Sequence, residues 1–233
     1  MCLNMKLFEF DENWHENQVP VLKEKFLPLW KGKRNVRALE IGSFEGRSTA
    51  WWMDNMDIVE MVCIDTWEGG EEHSRVDMNK VFENFKANVG NKVRWYQGYS
   101  HNILMDLIKD KRKFDFIYID GSHMAKDVLL DAMLSDKLLV PGGIMLFDDY
   151  LWPAKLPEHH KPKLGINTFY RFFMKIIYKF MEIIKSVLKR KINSLLNALP
   201  NQLLLSYISN PSHEDHQDQG NQRHRPWRTL LIR

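Results

Sequence analysis

Short apolar runs and amphipathic stretches alternate along the first two thirds of the chain. The apolar runs are Val36–Ile41, Ile58–Ile64, Lys92–Tyr96, Phe114–Ile119 and Gly142–Phe147, and each predicts a strand. The stretches between them predict helices over Arg47–Asn55, Val76–Asn88, Ser100–Lys109 and His123–Lys137. Strands that alternate with helices argue for βαβ units and an α/β fold with a mostly parallel sheet. The crossovers are right-handed by the general rule. Turn residues mark the joints, above all Gly42–Gly46 and Pro141-Gly142-Gly143.

The pattern changes after Trp152. Pro153, Pro157 and Pro162 mark a loop, and a basic, apolar stretch runs from Phe169 to Leu199. Arg171, Lys175 and Lys179 recur every four residues and share one helical face there. Such a face suits a helix that packs on the sheet or across a homodimer. It also suits an in-plane helix in peripheral contact with an anionic membrane. From Ser209 to Arg225 the chain is polar, and Trp227–Arg233 reads as a closing strand. The organisation expected is a domain over 1–168 with its core at 36–152, a basic amphipathic helical extension over 169–199, and a polar tail over 200–233.

Composition narrows this picture only a little. The 233 residues are 44% hydrophobic, enough for a core, and the formal charge of +3 is too small to argue for nucleic acid. The two cysteines, Cys2 and Cys63, make no disulfide framework or zinc site. Residues Met1–Trp14 do not read as a signal peptide, and no apolar run reaches membrane-spanning length. The setting expected is cytoplasmic.

The chemistry gathers at the strand ends, where ligands of open α/β sheets bind. Glu40-Ile41-Gly42-Ser43-Phe44-Glu45-Gly46-Arg47-Ser48 turns sharply from strand to helix. It lacks the third glycine of a dinucleotide fingerprint, and the acid at its strand end repels phosphate. That disfavours a nicotinamide oxidoreductase and suits a cationic ligand such as S-adenosylmethionine. Asp65 ends the next strand, where a carboxylate can accept both ribose hydroxyls. Ser100, after Tyr96-Gln97-Gly98-Tyr99, can lie near an adenine edge or cap its helix. The fourth strand delivers Asp120 and then His123, and the fifth delivers Asp148 and Asp149. Three carboxylates are hard ligands suited to Mg²⁺. A histidine with an ordinary pKa of about 6.5 suits a general base.

Four motifs in order resemble class I S-adenosylmethionine-dependent methyltransferases: Leu39–Ser48, Ile64–His73, Phe116–His123 and Phe147–Tyr150. The resemblance is to methyltransferase family 24, which is related to metal-dependent sugar O-methyltransferases, and it spans about Val36 to Trp152. It implies a Rossmann-like sheet of seven strands, the last antiparallel. Glu40, Gly42, Ser43 and Gly46 would hold the methionine part of S-adenosyl-L-methionine, Asp65 the ribose, and Ser100 would lie near adenine. Ser48, Thr66, Trp67 and Asp120 complete the expected cofactor contacts. Asp120, Asp148 and Asp149 would bind Mg²⁺, with His123 and Asp120 catalytic. The acceptor expected is a hydroxyl on a small molecule or glycan. The extension departs from this pattern, which leaves a second expectation: a degenerate nucleotide-fold protein that binds a membrane or a partner through its basic helix.

Overall fold

The computed structural model describes residues 10, 14–70, 73–151, 155–173 and 228–231. The chain divides into two compact units, 1–169 with 225–233, and 170–224. The basic stretch expected to carry a membrane or partner face lies, beyond residue 173, outside the described residues.

Six strands form one sheet: β1 Val36–Ile41, β2 Ile58–Asp65, β3 Val93–Gln97, β4 Phe114–Ile119, β5 Leu139–Phe147 and β6 Arg228–Leu231. Their order is β3-β2-β1-β4-β5-β6, and every neighbouring pair is parallel. The order reverses between β1 and β4, which opens the crevice where such sheets take ligands. β1 and β4 are buried on both faces, as central parallel strands are. The antiparallel last strand that the resemblance implies is not seen among the described residues. The strand beside β5 is β6, and it runs parallel; the long stretch between Phe147 and Arg228 leaves ample length for the crossover that parallel pairing needs.

The helices follow the strands: α1 Val19–Val21, α2 Arg47–Asn55, α3 Met78–Val89, α4 Ser100–Lys109 and α5 Ala125–Leu138, with a further helix over 162–173. The Asp77 carboxylate caps α3 by accepting from the amides of Asn79 and Lys80, and Gly90 ends it at φ +62°. Two boundaries differ from the sequence reading. α5 starts at Ala125, so His123 sits in the loop before it. β5 starts at Leu139, and Pro141-Gly142-Gly143 forms an irregularity inside the strand: Phe114 faces Leu139 while Phe116 already faces Ile144. Proline has no N–H for a ladder, so the extra residues bulge out.

The sequence reading assigned no element before Val36. The structure places helical turns at Trp14–Asn17, Leu22–Phe26 and Leu27–Trp30 around α1. Phe26 and Trp30 pack with Trp52 of α2 and Phe116 of β4, with ring centroids 4.9 to 6.1 Å apart. Tyr118 joins the same cluster through Trp52, at 5.3 Å.

Backbone bonds continue past the strand ends. The amides of Gly98, Gly42, Asp120 and Asp148 donate to the carbonyls of Asp65, Ile64, Ile41 and Ile119, at 2.8 to 3.0 Å. One hydrogen-bonded row therefore links β3, β2, β1, β4 and β5 at the level of the candidate site.

Candidate active site

The glycine turn forms one half of that edge. Gly42 has φ +85°, and a Cβ there would lie 2.0 Å from the Asp120 carbonyl oxygen. Only glycine lets β1 and β4 approach this closely. Gly46 has φ +77°, and a Cβ there would meet the Val89 side chain at 2.7 Å. Glu45 is pinned to α3 by the Asn84 and Asn88 amides at 2.8 and 2.9 Å.

Asp65 binds the turn to β2. Its Oδ2 accepts from the amides of Ser43 and Phe44 at 2.8 and 2.9 Å, and its Oδ1 from the amide of Trp67 at 2.8 Å. The two amides occupy both lone pairs of Oδ2, while Oδ1 keeps one free for a ribose hydroxyl. Phe44 and Trp67 sit at φ +45° and +50°, a strained region for such residues that these bonds hold. The Trp67 indole donates to the Phe44 carbonyl at 2.9 Å and packs on Phe82 and Phe85. The Thr66 hydroxyl accepts from the Glu68 amide.

Glu40 is fully buried beneath the turn. Its Oε2 accepts from Ser43, at 3.0 Å, and from Thr49. Burial raises its carboxyl above the usual range, while Thr49, Ser48, Ser43 and Cys63 favour the charged form. Its Oε1 is buried with no hydrogen-bond partner among the described residues. An unpartnered buried carboxylate oxygen suits a cationic ligand.

The acids of β4 and β5 form the other half. The Tyr118 hydroxyl faces two carboxylates, Asp120 at 3.1 Å and Asp148 at 2.5 Å. A phenol has one proton, so it serves only one of them at a time. Asp148 also accepts from the Gln18 side-chain amide at 2.6 Å and from the Asp149 backbone amide at 2.7 Å. Burial, then the nearby charges of Asp148 and Asp149, pushes Asp120 well above the usual carboxylate range. Burial, then Asp149, raises Asp148 as well. Asp149 sits at φ +55° and pairs with His123 Nε2 at 2.8 Å.

Residues 39–150 match a family model described as a methyltransferase domain, that of methyltransferase family 24. The chain carries a class I S-adenosylmethionine-dependent methyltransferase domain. Two curated relatives share part of it. An uncharacterised protein of Acanthamoeba polyphaga mimivirus is 31% identical over 51% of this chain and 53% of its own. A putative caffeoyl-CoA O-methyltransferase of Arabidopsis thaliana is 30% identical over 60% of this chain and 58% of its own. The matches thus span little more than half of each relative. The MycE methyltransferase of the mycinamycin biosynthetic pathway, solved with Mg and SAH, is 22% identical at a TM-score of 0.42, covering 57% of this chain and 32% of its own.

In this methyltransferase domain the buried Glu40 and the amide-bound Asp65 fit the cationic and ribose ends of S-adenosylmethionine. The acidic half offers hard oxygen donors: no lysine or arginine pairs with Asp120 or Asp148 among the described residues. As placed, no three His, Cys, Asp or Glu of the described residues come close enough together to hold a metal ion.

Ser100 is the first residue of α4 and does not cap it; the cap position is Tyr99. The Ser100 hydroxyl instead donates to Asp131 of α5 at 2.6 Å. Asp131 is buried, and burial lifts its carboxyl to about 7 against an ordinary 3.8. The sign follows from proton binding. The folded chain keeps this proton to higher pH than the unfolded chain, so the stability is fully present below about pH 4 and is lost as pH rises through about 7. Asp131→Asn is expected to melt about 5 °C above the wild type at pH 8, with the gap closing towards pH 4. Thermal melts of both proteins across that range check it.

The sequence reading missed Gln18, Tyr118 and Asp131. Tyr118 was within reach, because strand residues two apart share a face and Asp120 follows two residues on. Asp131 was too, since it interrupts the buried stripe Val128, Ala132, Ser135 at helical spacing. Gln18 carries no such signal. Among the described residues, no helix is long and apolar enough to cross a membrane.

Proposed function

We propose that this domain transfers the methyl group of S-adenosylmethionine to a substrate oxygen with the help of a divalent cation. The observation that carries the reading is the shared row of strand ends, which sets the cofactor half at Glu40 and Asp65 beside the carboxylates Asp120, Asp148 and Asp149. A relative with O-methyltransferase in its name supports oxygen as the acceptor atom. The acceptor is a hydroxyl on a small molecule or glycan.

Transfer is an in-line displacement. An oxygen lone pair forms the O–CH₃ bond as the S–CH₃ bond breaks, and its electrons neutralise the sulfonium to leave S-adenosylhomocysteine. The site lowers the barrier mainly by holding both reactants in near-attack geometry. The hydroxyl proton goes to His123. Its Nε2 lies 2.8 Å from Asp149, whose carboxylate orients the ring and would steady the imidazolium that results. Asp120, Asp148 and Asp149 would hold Mg²⁺, which when bound lowers the pKa of an acceptor hydroxyl.

The test is calorimetry with S-adenosylmethionine, paired with an assay of S-adenosylhomocysteine release against caffeoyl-CoA, catechol and simple glycosides. The wild type should bind the cofactor and release product with at least one acceptor. Asp148→Ala should bind the cofactor within a few-fold yet lose roughly 10²–10³-fold in release, and excess EDTA should do the same to the wild type. Undiminished release in Asp148→Ala or in EDTA would remove the cation. Absence of cofactor binding would remove the whole reading.

A further inference from the structure

Lys31-Gly32-Lys33-Arg34-Asn35-Val36-Arg37 puts four cations in seven residues, with no acid among them. The candidate active site uses none of these cations. They lie at the start of β1, the opposite end of that strand from Glu40 and Gly42. Arg37 is taken up by Asp115 at 3.4 Å. The other three border a type II turn, in which the Lys33 amide donates to the Trp30 carbonyl at 2.9 Å. Lys31 at φ −55°, ψ 120° and Gly32 at φ +78° have the angles that turn requires.

A cleft of about 590 Å³ opens beside the turn, between it, the end of α2 and the residues that lead into β2. Small-molecule sites fall in this size range. Its charged lining residues are Lys23, Lys31, Lys33 and Arg34, against Asp57. Asp57 is already engaged, with Arg34 at 3.7 Å and the Asn35 amide at 3.4 Å. No carboxylate pairs with Lys23, Lys31 or Lys33 among the described residues. Trp30 also lines the cleft, and its buried indole N–H has no acceptor among the described residues. Ammonium and indole N–H groups only donate, so all four of these groups want an acceptor. Leu27, Pro28 and Met56 add apolar surface. Three unpaired ammonium groups outnumber the single charge of a carboxylate. A phosphate monoester carries close to two charges on three terminal oxygens.

We infer that this cleft binds a phosphate monoester with an apolar or aromatic body, its phosphate on Lys31 and Lys33 and its body against Leu27, Pro28 and Trp30. The six residues of β1 set the cleft about 20 Å from the glycine turn. The occupant is therefore neither the methyl donor nor the acceptor, and the inference stands apart from the proposed function.

The ester can be a free metabolite or a lipid headgroup, and two probes separate these. Phenyl phosphate, followed by calorimetry, stands for the first. Phosphatidylcholine vesicles containing phosphatidic acid, followed by co-sedimentation, stand for the second. The wild type should bind phenyl phosphate at one site per chain, more tightly than inorganic phosphate because the ring is buried. Lys31→Gln/Lys33→Gln should weaken this about tenfold or more. Lys126→Gln/Lys155→Gln removes the same charge at exposed positions outside the cleft lining, and should leave affinity within about twofold. If vesicles alone bind, and Lys31→Gln/Lys33→Gln releases them, the site stands with a lipid headgroup as its ester. No binding of either probe overturns the proposal. Equal weakening in the two double variants also overturns it, because net charge alone would then account for binding. Equal affinity for phenyl and inorganic phosphate overturns the seat for an apolar body.

Discussion

Gly42→Ala is expected to give a protein that neither folds stably nor binds cofactor. The new Cβ would stand 2.0 Å from the Asp120 carbonyl oxygen and 2.6 Å from the Gly121 Cα. Both are backbone atoms on the neighbouring strand end and have no rotamer to change. To make room, β1 and β4 must part at the level of Asp120, which breaks the Asp120–Ile41 backbone bond. Strain of this kind belongs to the rare class of substitutions costing more than about 4–5 kcal/mol. Gly142→Ala is the control. Its φ of +79° is just as unusual, but a Cβ there meets nothing within 4 Å, so only the backbone penalty of about 1–2 kcal/mol applies. Circular dichroism melts and cofactor calorimetry on the pair check this. If Gly42→Ala melts within a few degrees of Gly142→Ala, the strand ends do not constrain each other as described.

Asp65→Ala should harm folding and cofactor binding together. It orphans three backbone amides, those of Ser43, Phe44 and Trp67. Each buried donor left unmade costs about 1–3 kcal/mol. Two of the three residues also hold left-handed backbone conformations that the carboxylate secures. Where Asp65 also holds the ribose, as proposed, loss of that bond adds to this, so S-adenosylhomocysteine affinity should fall by roughly 10²-fold or more. Asp65→Asn keeps one accepting oxygen and should fall between. Calorimetry and thermal melts of both variants check the order. If Asp65→Ala keeps wild-type affinity for the cofactor product, the ribose is held elsewhere.

Much of this edge was legible in the sequence because it rests on strong local rules. Apolar runs closed by Glu40, Asp65, Asp120 and Asp148 place those acids at strand ends, and the two glycines of the turn fall where the backbone needs φ above zero. Ser100 was legible as a helix start but not in its bond, because its partner Asp131 comes from a different helix. The turns from Trp14 to Trp30 were not legible. They pass between 3-10, α and π geometry around Pro20 and Pro28, so no single period marks them. With them went Gln18, whose contact with Asp148 exists only once the chain has closed over itself. The parallel course of β6 could not be read either, since a four-residue strand carries no sign of its direction.

The row of backbone bonds from Gly98 to Asp148 has a consequence for how such a domain can diversify. It ties the proposed seat of the methyl donor to the carboxylates in a single backbone frame, so a shift at either end is shared by both. Under the proposed function, substitutions that change the acceptor should be tolerated mainly off the frame, in the Trp67–Asp77 and Tyr150–Leu164 connections. Exchanging those two pieces between relatives should retarget the chemistry while the frame is inherited unchanged.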